Sequence, residues 1–177
     1  GYEPYGLDIN EYGINEAKKI LDENKLFCCS FEELVIEEKF DAIFMFDYIE
    51  HIINQEEVIK IAYEKLNPGG VLVITTPSVS SITNKILGKK WPHYIEEHLS
   101  FFSKKAISLL LNNIGYTEVE VKKFSKIMTA NYFYSQTELK KMTILPIIRF
   151  FYNLIPNNIK NKPIKIYTGD MIAIAKK

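Results

Sequence analysis

Short apolar runs alternate with amphipathic stretches along this chain. Tyr5 to Ile9 (YGLDI) is an apolar run broken at Asp8, and after it Ile14, Ala17, Ile20 and Leu21 recur at helical spacing, which predicts strand, turn and helix through Asn24. Leu26 to Cys29 reads as a second strand. Phe40 to Phe46 (FDAIFMF) is a third, too short for a helix and apolar on both faces, as a central parallel strand must be. From Gln55 to Leu66 the residues Val58, Ile59, Ala62 and Leu66 share one helical face, Asn67-Pro68-Gly69-Gly70 stops the helix, and Val71 to Thr75 (VLVIT) is the next buried strand. After Pro77 come a serine-containing loop, a short helix and the segment Trp91-Pro92-His93. Ser103 then caps a helix running to about Asn113 and closed by Gly115. Tyr116 to Phe124 alternates like a half-exposed strand, Asp170 to Ala175 (DMIAIA) forms the last strand, and residues 127–168 between them read as helical and rich in aromatics.

Strands alternating with helices predict an α/β fold with a mostly parallel sheet, its last two strands forming an antiparallel hairpin at the edge. The expected organisation is a single domain over 1–177 with a helical insertion at about 127–168. Ligands bind such sheets beyond the carboxyl ends of the strands, where Asp8, Ser30, Asp47 and Thr76 stand.

Length and composition narrow the class. A chain of 177 residues, 47% hydrophobic and 25% charged, has the balance of a soluble globular protein and excludes disorder, collagen and disulfide scaffolds. No unbroken apolar run is long enough to cross a bilayer, so a cytoplasmic location is expected. Cys28 and Cys29 are adjacent, poorly placed to bridge each other or to build a zinc site with three scattered histidines; they read as buried thiols, and no metal is expected.

Charge is divided steeply. Gly1 to Ser103 carries 18 acidic against 9 basic residues, and Lys104 to Lys177 carries 4 against 13. A basic half can mark a nucleic-acid or membrane surface. Arg149 is the only arginine, and arginine is the side chain that grips phosphates and guanine edges with paired hydrogen bonds, so nucleic acid is disfavoured. Lysines solubilising one face explain the same pattern.

Asp8 has two readings. A carboxylate after a second strand accepts hydrogen bonds from two ribose hydroxyls, and an aspartate there also caps the following helix. Four segments taken in order, YGLDIN at 5–10, FDAIFMFDYIEHI at 40–52, LNPGGVLVITTPS at 66–78 and EHLSFFSKKAISLLLNNIGY at 97–116, resemble the class I S-adenosylmethionine-dependent methyltransferases of the type 11 and 23 group. The resemblance implies a Rossmann-like sheet and S-adenosylmethionine as cofactor. By position it implies Asp8, with Ile9, at the ribose, and Ser30 and Phe31 at the adenine without the usual acid. Phe46, Asp47 and Tyr48 would lie along the methionine arm. Glu50-His51 matches an EH pair and His98 an EHL element near the acceptor. A base is needed only for a hydroxyl or ammonium acceptor, and His51 or His98, backed by Asp47, would supply it. For each histidine a packing or helix-start role is the competing reading, and His93 is either a lid residue or merely exposed.

The glycine-rich turn that such proteins place after their first strand has no counterpart before YGLDIN. The resemblance therefore implies a chain starting after its first strand and helix, with a gap of about 5 Å, one strand spacing, in the sheet. Impaired activity of the chain alone, re-pairing with a second copy as a homo-oligomer, and a non-catalytic partner or scaffold role are the corresponding expectations. The expected acceptor is a small or lipid-linked molecule methylated on oxygen or nitrogen. Met142 to Pro156 (MTILPIIRFFYNLIP) is too short to span a bilayer. It reads either as a cap or peripheral membrane contact within 140–162, with Lys140, Lys141, Lys160 and Lys162 meeting anionic headgroups, or as a helix burying Ile144, Ile147, Ile148 and Phe151.

Overall fold

The computed structural model describes residues 1–139 and 145–177. Strands β1 (Gly6–Leu7) and β2 (Leu26–Phe27) form a small parallel pair. Strands β3 (Phe40–Phe46), β4 (Leu66–Pro77), β5 (Thr117–Thr129) and β6 (Pro163–Lys176) form a second sheet in the order β3-β4-β6-β5. β3 and β4 are parallel, and β6 runs antiparallel to both its neighbours. Helices α1 (Glu11–Ala17), α2 (Gln55–Lys65), α3 (Ile82–Leu87) and α4 (Lys104–Ile114) connect the strands. Helices α5 (Ala130–Leu139), α6 (Leu145–Leu154) and α7 (Asn157–Lys160) fill the excursion between β5 and β6.

The core lies on one face of the larger sheet. Period-2 alternation sends Ile43, Met45, Leu72, Ile74, Met171 and Ala173 to that face. There they meet Val58, Ile59 and Ala62 of α2 and Ile107 and Leu111 of α4. α4 is bounded as its sequence dictates. Ser103 Oγ accepts from Ala106 N at 3.1 Å, and Gly115 closes the helix with φ of 115°, a value only glycine adopts without strain.

The two strand groups are not paired among the described residues. Ring packing of Tyr5 on Phe40 (5.3 Å), a bond from Lys65 Nζ to the Ile36 carbonyl (3.0 Å), and a long contact from the Tyr48 hydroxyl to Glu32 (3.5 Å) join them. The other face of β3 is bare: Phe44 and Phe46 are 58% and 63% exposed, so this strand is not buried on both sides as its composition implied.

Several local expectations are corrected. The first helix ends at Ala17, and Ile20 is exposed; the chain continues as turns and a 3-10 turn at Glu23–Lys25. The first two strands are only two residues long, because each has a single short partner. Cys28 is exposed and not a buried thiol, its Sγ 3.8 Å from the Ile9 carbonyl. β5 and β6 run on into the excursion, pairing Lys126 with Ile166 and Thr129 with Pro163, so 127–129 and 163–168 are strand and the helical part is shorter than 127–168. Ile147 and Phe151 are exposed and not in a core, while Lys140, Lys141, Met142 and Ile144 lie outside the described residues. No helix among the described residues is long and apolar enough to cross a membrane.

Candidate active site

The carboxyl ends of β3 and β4 fix where polar groups gather. β3 ends with Phe46 opposite Thr75, and β4 ends with Pro77 opposite Asp170. The β5–β6 ribbon continues past that level, which sets α5 and α6 beyond the strand ends where ligands bind.

Asp47 follows β3 with φ of 48°, a left-handed conformation that aspartate tolerates better than most residues. Its backbone N–H donates to the Thr75 carbonyl (3.0 Å), Thr75 Oγ1 donates to its Oδ1 (3.3 Å), and Lys126 Nζ donates to its Oδ2 (2.6 Å). Lys126 also lies 3.5 Å from Oδ1 of Asp170, which is fully buried, and His93 Nε2 lies 3.9 Å from the other oxygen. Burial pulls the Lys126 pKa down, but its bond to Asp47 and the charges of Asp170 and Asp47 outweigh this and hold it above its ordinary 10.5. Burial also pushes His93 below its usual value; Asp170 opposes this, and Lys126 and His98 add to it. His93 is therefore a neutral, proton-accepting imidazole near pH 7. Gly169 permits the close packing here: with φ of 115°, a Cβ on it would sit 3.0 Å from Trp91 Nε1.

The second polar group follows directly. Glu50 and His51 lie in the 3-10 turn Ile49–His51, and the Glu50 carbonyl accepts from Leu99 N (2.8 Å) and Ser100 N (3.1 Å), clamping that turn to the loop bearing His98. His51 Nδ1 is 2.9 Å from the Glu97 carbonyl, so Nδ1 is the donor, and in the neutral ring the lone pair is on Nε2. The His51 and His98 rings meet edge to face at 4.8 Å, and His93 stacks on His98 at 6.2 Å. Glu50 is 1% exposed; desolvation raises its pKa, and Asp47 adds to this against the opposing influence of Thr76 and His51.

The turns after β1 and β2 are near neighbours of each other. Asp8 N donates to the Phe27 carbonyl (3.2 Å), and Asp8 Oδ1 accepts from Asn10 N (2.8 Å). The helix-end reading of Asp8 is thus met in part, although Asn10 is the residue that caps α1. Ser30 offers N and Oγ to one oxygen of Glu33 (3.0 and 2.9 Å), which lowers the Glu33 pKa. An acid does therefore stand in this turn, three residues beyond the position expected to hold it. Phe31 and Tyr48 pack against the same core, and burial, then the Glu32 charge, raises the Tyr48 hydroxyl. The structure thus joins Ile9 to Cys28, and Phe31 to Tyr48, without a direct contact from Asp8 to Asp47 among the described residues.

Lys126, Asp170 and His93 form a network that sequence reasoning did not assemble. One signal was present: Asp170 is one of only 4 acids after Ser103, and it opens the final apolar strand.

A sheet with one antiparallel strand, and polar residues collected at the carboxyl ends of its parallel strands, define a Rossmann-like α/β protein with a ligand site at that edge. The methyltransferase domain family matches residues 1–121, and the chain belongs to it, as a class I S-adenosylmethionine-dependent methyltransferase domain. Similar solved structures include a SAM-dependent methyltransferase from Archaeoglobus fulgidus (19% identity, 98% of this chain and 75% of that one, TM-score 0.62). Another is a possible histamine N-methyltransferase from Thermotoga maritima (16%, 97% and 72%, 0.61). A third is phosphoethanolamine N-methyltransferase 2 of Haemonchus contortus, solved with phosphomonomethylethanolamine and S-adenosylhomocysteine (19%, 100% and 44%, 0.62). No curated protein matches the sequence.

The cofactor is S-adenosylmethionine, and the donor set suits it. Asp8 presents a surface carboxylate whose Oδ2 lies by Gly13, the residue type that leaves most room beside it, and Phe31 and Tyr48 supply apolar area.

Proposed function

We propose that this domain methylates a small-molecule or lipid-linked acceptor on oxygen or nitrogen. The observation that carries the reading is the convergence of Asp47, His93, His98, Lys126 and Asp170 at the strand ends. Bound S-adenosylmethionine supplies a methyl on a sulfonium, whose departure as a thioether needs no acid. The chain's own residues then have to orient the acceptor, exclude water and, for a hydroxyl or ammonium, take a proton. Neutral His93 joins His51 and His98 as a proton acceptor. Asp47, with both oxygens engaged, is a positioning residue that holds Lys126. Asp8 and Ile9, Ser30 and Phe31, and Phe46 to Tyr48 are proposed to hold the cofactor, with Asp8 on the ribose hydroxyls.

The lipid-linked option is supported by α6, whose apolar residues Ile147, Phe150, Phe151 and Leu154 are exposed at i, i+3, i+4 and i+7. An apolar groove of about 200 Å³ lined by Phe133, Ile148, Ile155 and Ile164 lies under this helix, suited to an acyl or prenyl chain. A screen with methyl-labelled cofactor against sugar, phenol, amine and lipid-linked pools tests the function: transfer of label to one pool is expected, and no transfer despite cofactor binding overturns it.

A second reading is a non-catalytic partner or scaffold, or a domain completed by a second copy. It is favoured by the unpaired edge of β3 and its exposed Phe44 and Phe46. Calorimetric titration with S-adenosylhomocysteine separates the two. Micromolar binding favours the enzyme, and none favours the scaffold.

A further inference from the structure

We propose that Glu50, His51 and His98 bind one divalent transition-metal ion. One ligand atom from each lies within 4.8 Å of the others. Metal–ligand bonds of about 2.1 Å need them about 3–3.5 Å apart, a closure within reach of side-chain rotation.

Glu50 carries the inference. It is 1% exposed, and neither carboxylate oxygen has a well-formed hydrogen bond among the described residues, its own backbone and the Thr76 side chain giving only weak support. A buried carboxylate so weakly partnered is costly, and a cation is a partner that offsets the cost. The nearby lysine does not serve, since Lys126 is engaged by Asp47 and Asp170. His51 is oriented as a ligand, with Nδ1–H on the Glu97 carbonyl and the Nε2 lone pair available; metal-binding histidines commonly have such a second hydrogen bond. The two bonds from Leu99 N and Ser100 N to the Glu50 carbonyl fix the relation between the segments before any ion arrives. Glu50 and His51 are neighbours in sequence, and these backbone bonds hold the distant loop of His98 against them.

Two imidazoles and one carboxylate select zinc, iron(II), cobalt(II) or nickel(II) over calcium or magnesium, which prefer oxygen ligands. Three protein ligands leave coordination positions open. On the methyl-transfer reading, on which this step rests, a bound ion takes up the lone pairs of His51 and His98 and leaves His93 as the proton acceptor, and it favours an acceptor hydroxyl over an ammonium, which it would repel.

Titration of the metal-stripped 177-residue chain with cobalt(II), followed by visible absorption, tests the site. One equivalent is expected to bind with a spectrum of mixed nitrogen and oxygen ligation. Glu50→Gln and His51→Gln are expected to weaken binding by about 10–100-fold, and His93→Gln to leave it intact. Should a variant fail to fold, zinc added to ¹⁵N-histidine-labelled wild-type protein gives the same answer through the ring nitrogen shifts of His51 and His98. Absence of binding below millimolar metal, or zinc shifts that spare both rings, overturns the proposal. A parallel titration with S-adenosylhomocysteine keeps the two readings apart: loss of metal binding with cofactor binding retained sinks only the metal site, and the converse sinks only methyl transfer.

Discussion

Lys126 sits between two carboxylates, one partly exposed on Asp47 and one fully buried on Asp170. Removing its charge leaves the buried carboxylate with His93 as its remaining cationic candidate, and burial keeps that imidazole neutral. Lys126→Met is therefore expected to destabilise the fold by about 1–3 kcal/mol, the usual cost of stranding a buried polar group. Adding Asp170→Asn should restore part of this, because the second change removes the stranded charge. Urea unfolding of the two single variants and the double variant measures the coupling, and strictly additive losses would refute the network. Because the Lys126 pKa is raised above 10.5, the stability it adds is fully present below that value and is lost only as pH rises through the higher folded value. The effect of Lys126→Met should accordingly be constant from neutral pH up to the ordinary lysine range, and smaller toward acid, where His93, relieved of the Lys126 charge, protonates more readily beside Asp170.

At the level of elements, what was legible followed from local chemistry. Ser103 and Gly115 announced both ends of α4, and Asn67 to Gly70 announced the end of α2, because caps and turns are written in a few adjacent residues. The extension of β5 and β6 was not legible: pairing of Lys126 with Ile166 joins residues on opposite sides of a helical excursion, and aromatic β-formers in that stretch resemble a helix face. The same limit hid the site. His51, His93 and His98 look scattered in sequence, and the clamp on the Glu50 carbonyl together with the bond of His51 to the Glu97 carbonyl brings the first and last together. Helix α6 is where the two sequence readings can be separated. Its exposed Ile147, Phe150, Phe151 and Leu154 stand near Lys160, which lies over the Tyr152 ring at 4.2 Å. Apolar residues flanked by lysines suit an anionic interface. Flotation should show the protein with vesicles containing phosphatidylserine and not with neutral ones, and Phe150→Ser with Phe151→Ser should abolish it. Indifference to lipid charge would leave α6 as a cap.

For the whole molecule, the division of the sheet is the dominant fact. The four-stranded sheet is stabilised by burial against α2 and α4, whereas β1 and β2 share only a two-residue ladder and α1. Among the described residues the ties between the groups include the Tyr5–Phe40 ring contact, two polar contacts and the packing of Phe31 on the core. Local opening follows where buried apolar contacts are few. Amides of Leu26 and Phe27 should therefore exchange with deuterium well before those of Leu72 and Ile74, which lie in the centre of β4 and are essentially inaccessible to solvent. Cofactor binding bears on the same quantity. If Asp8 holds the ribose while Phe46 to Tyr48 hold the methionine arm, one ligand bridges both groups, and S-adenosylhomocysteine should slow exchange at β1 and β2 while hardly changing β4. Slowing confined to the Phe46 to Tyr48 turn would mean that the ligand contacts one group alone, and Asp8 would then only brace the turn before α1 through its bond from Asn10 N. Equal exchange of the two groups without ligand would show instead that they unfold as one unit, and that the contacts of Tyr5 and Tyr48 couple them more strongly than their number suggests.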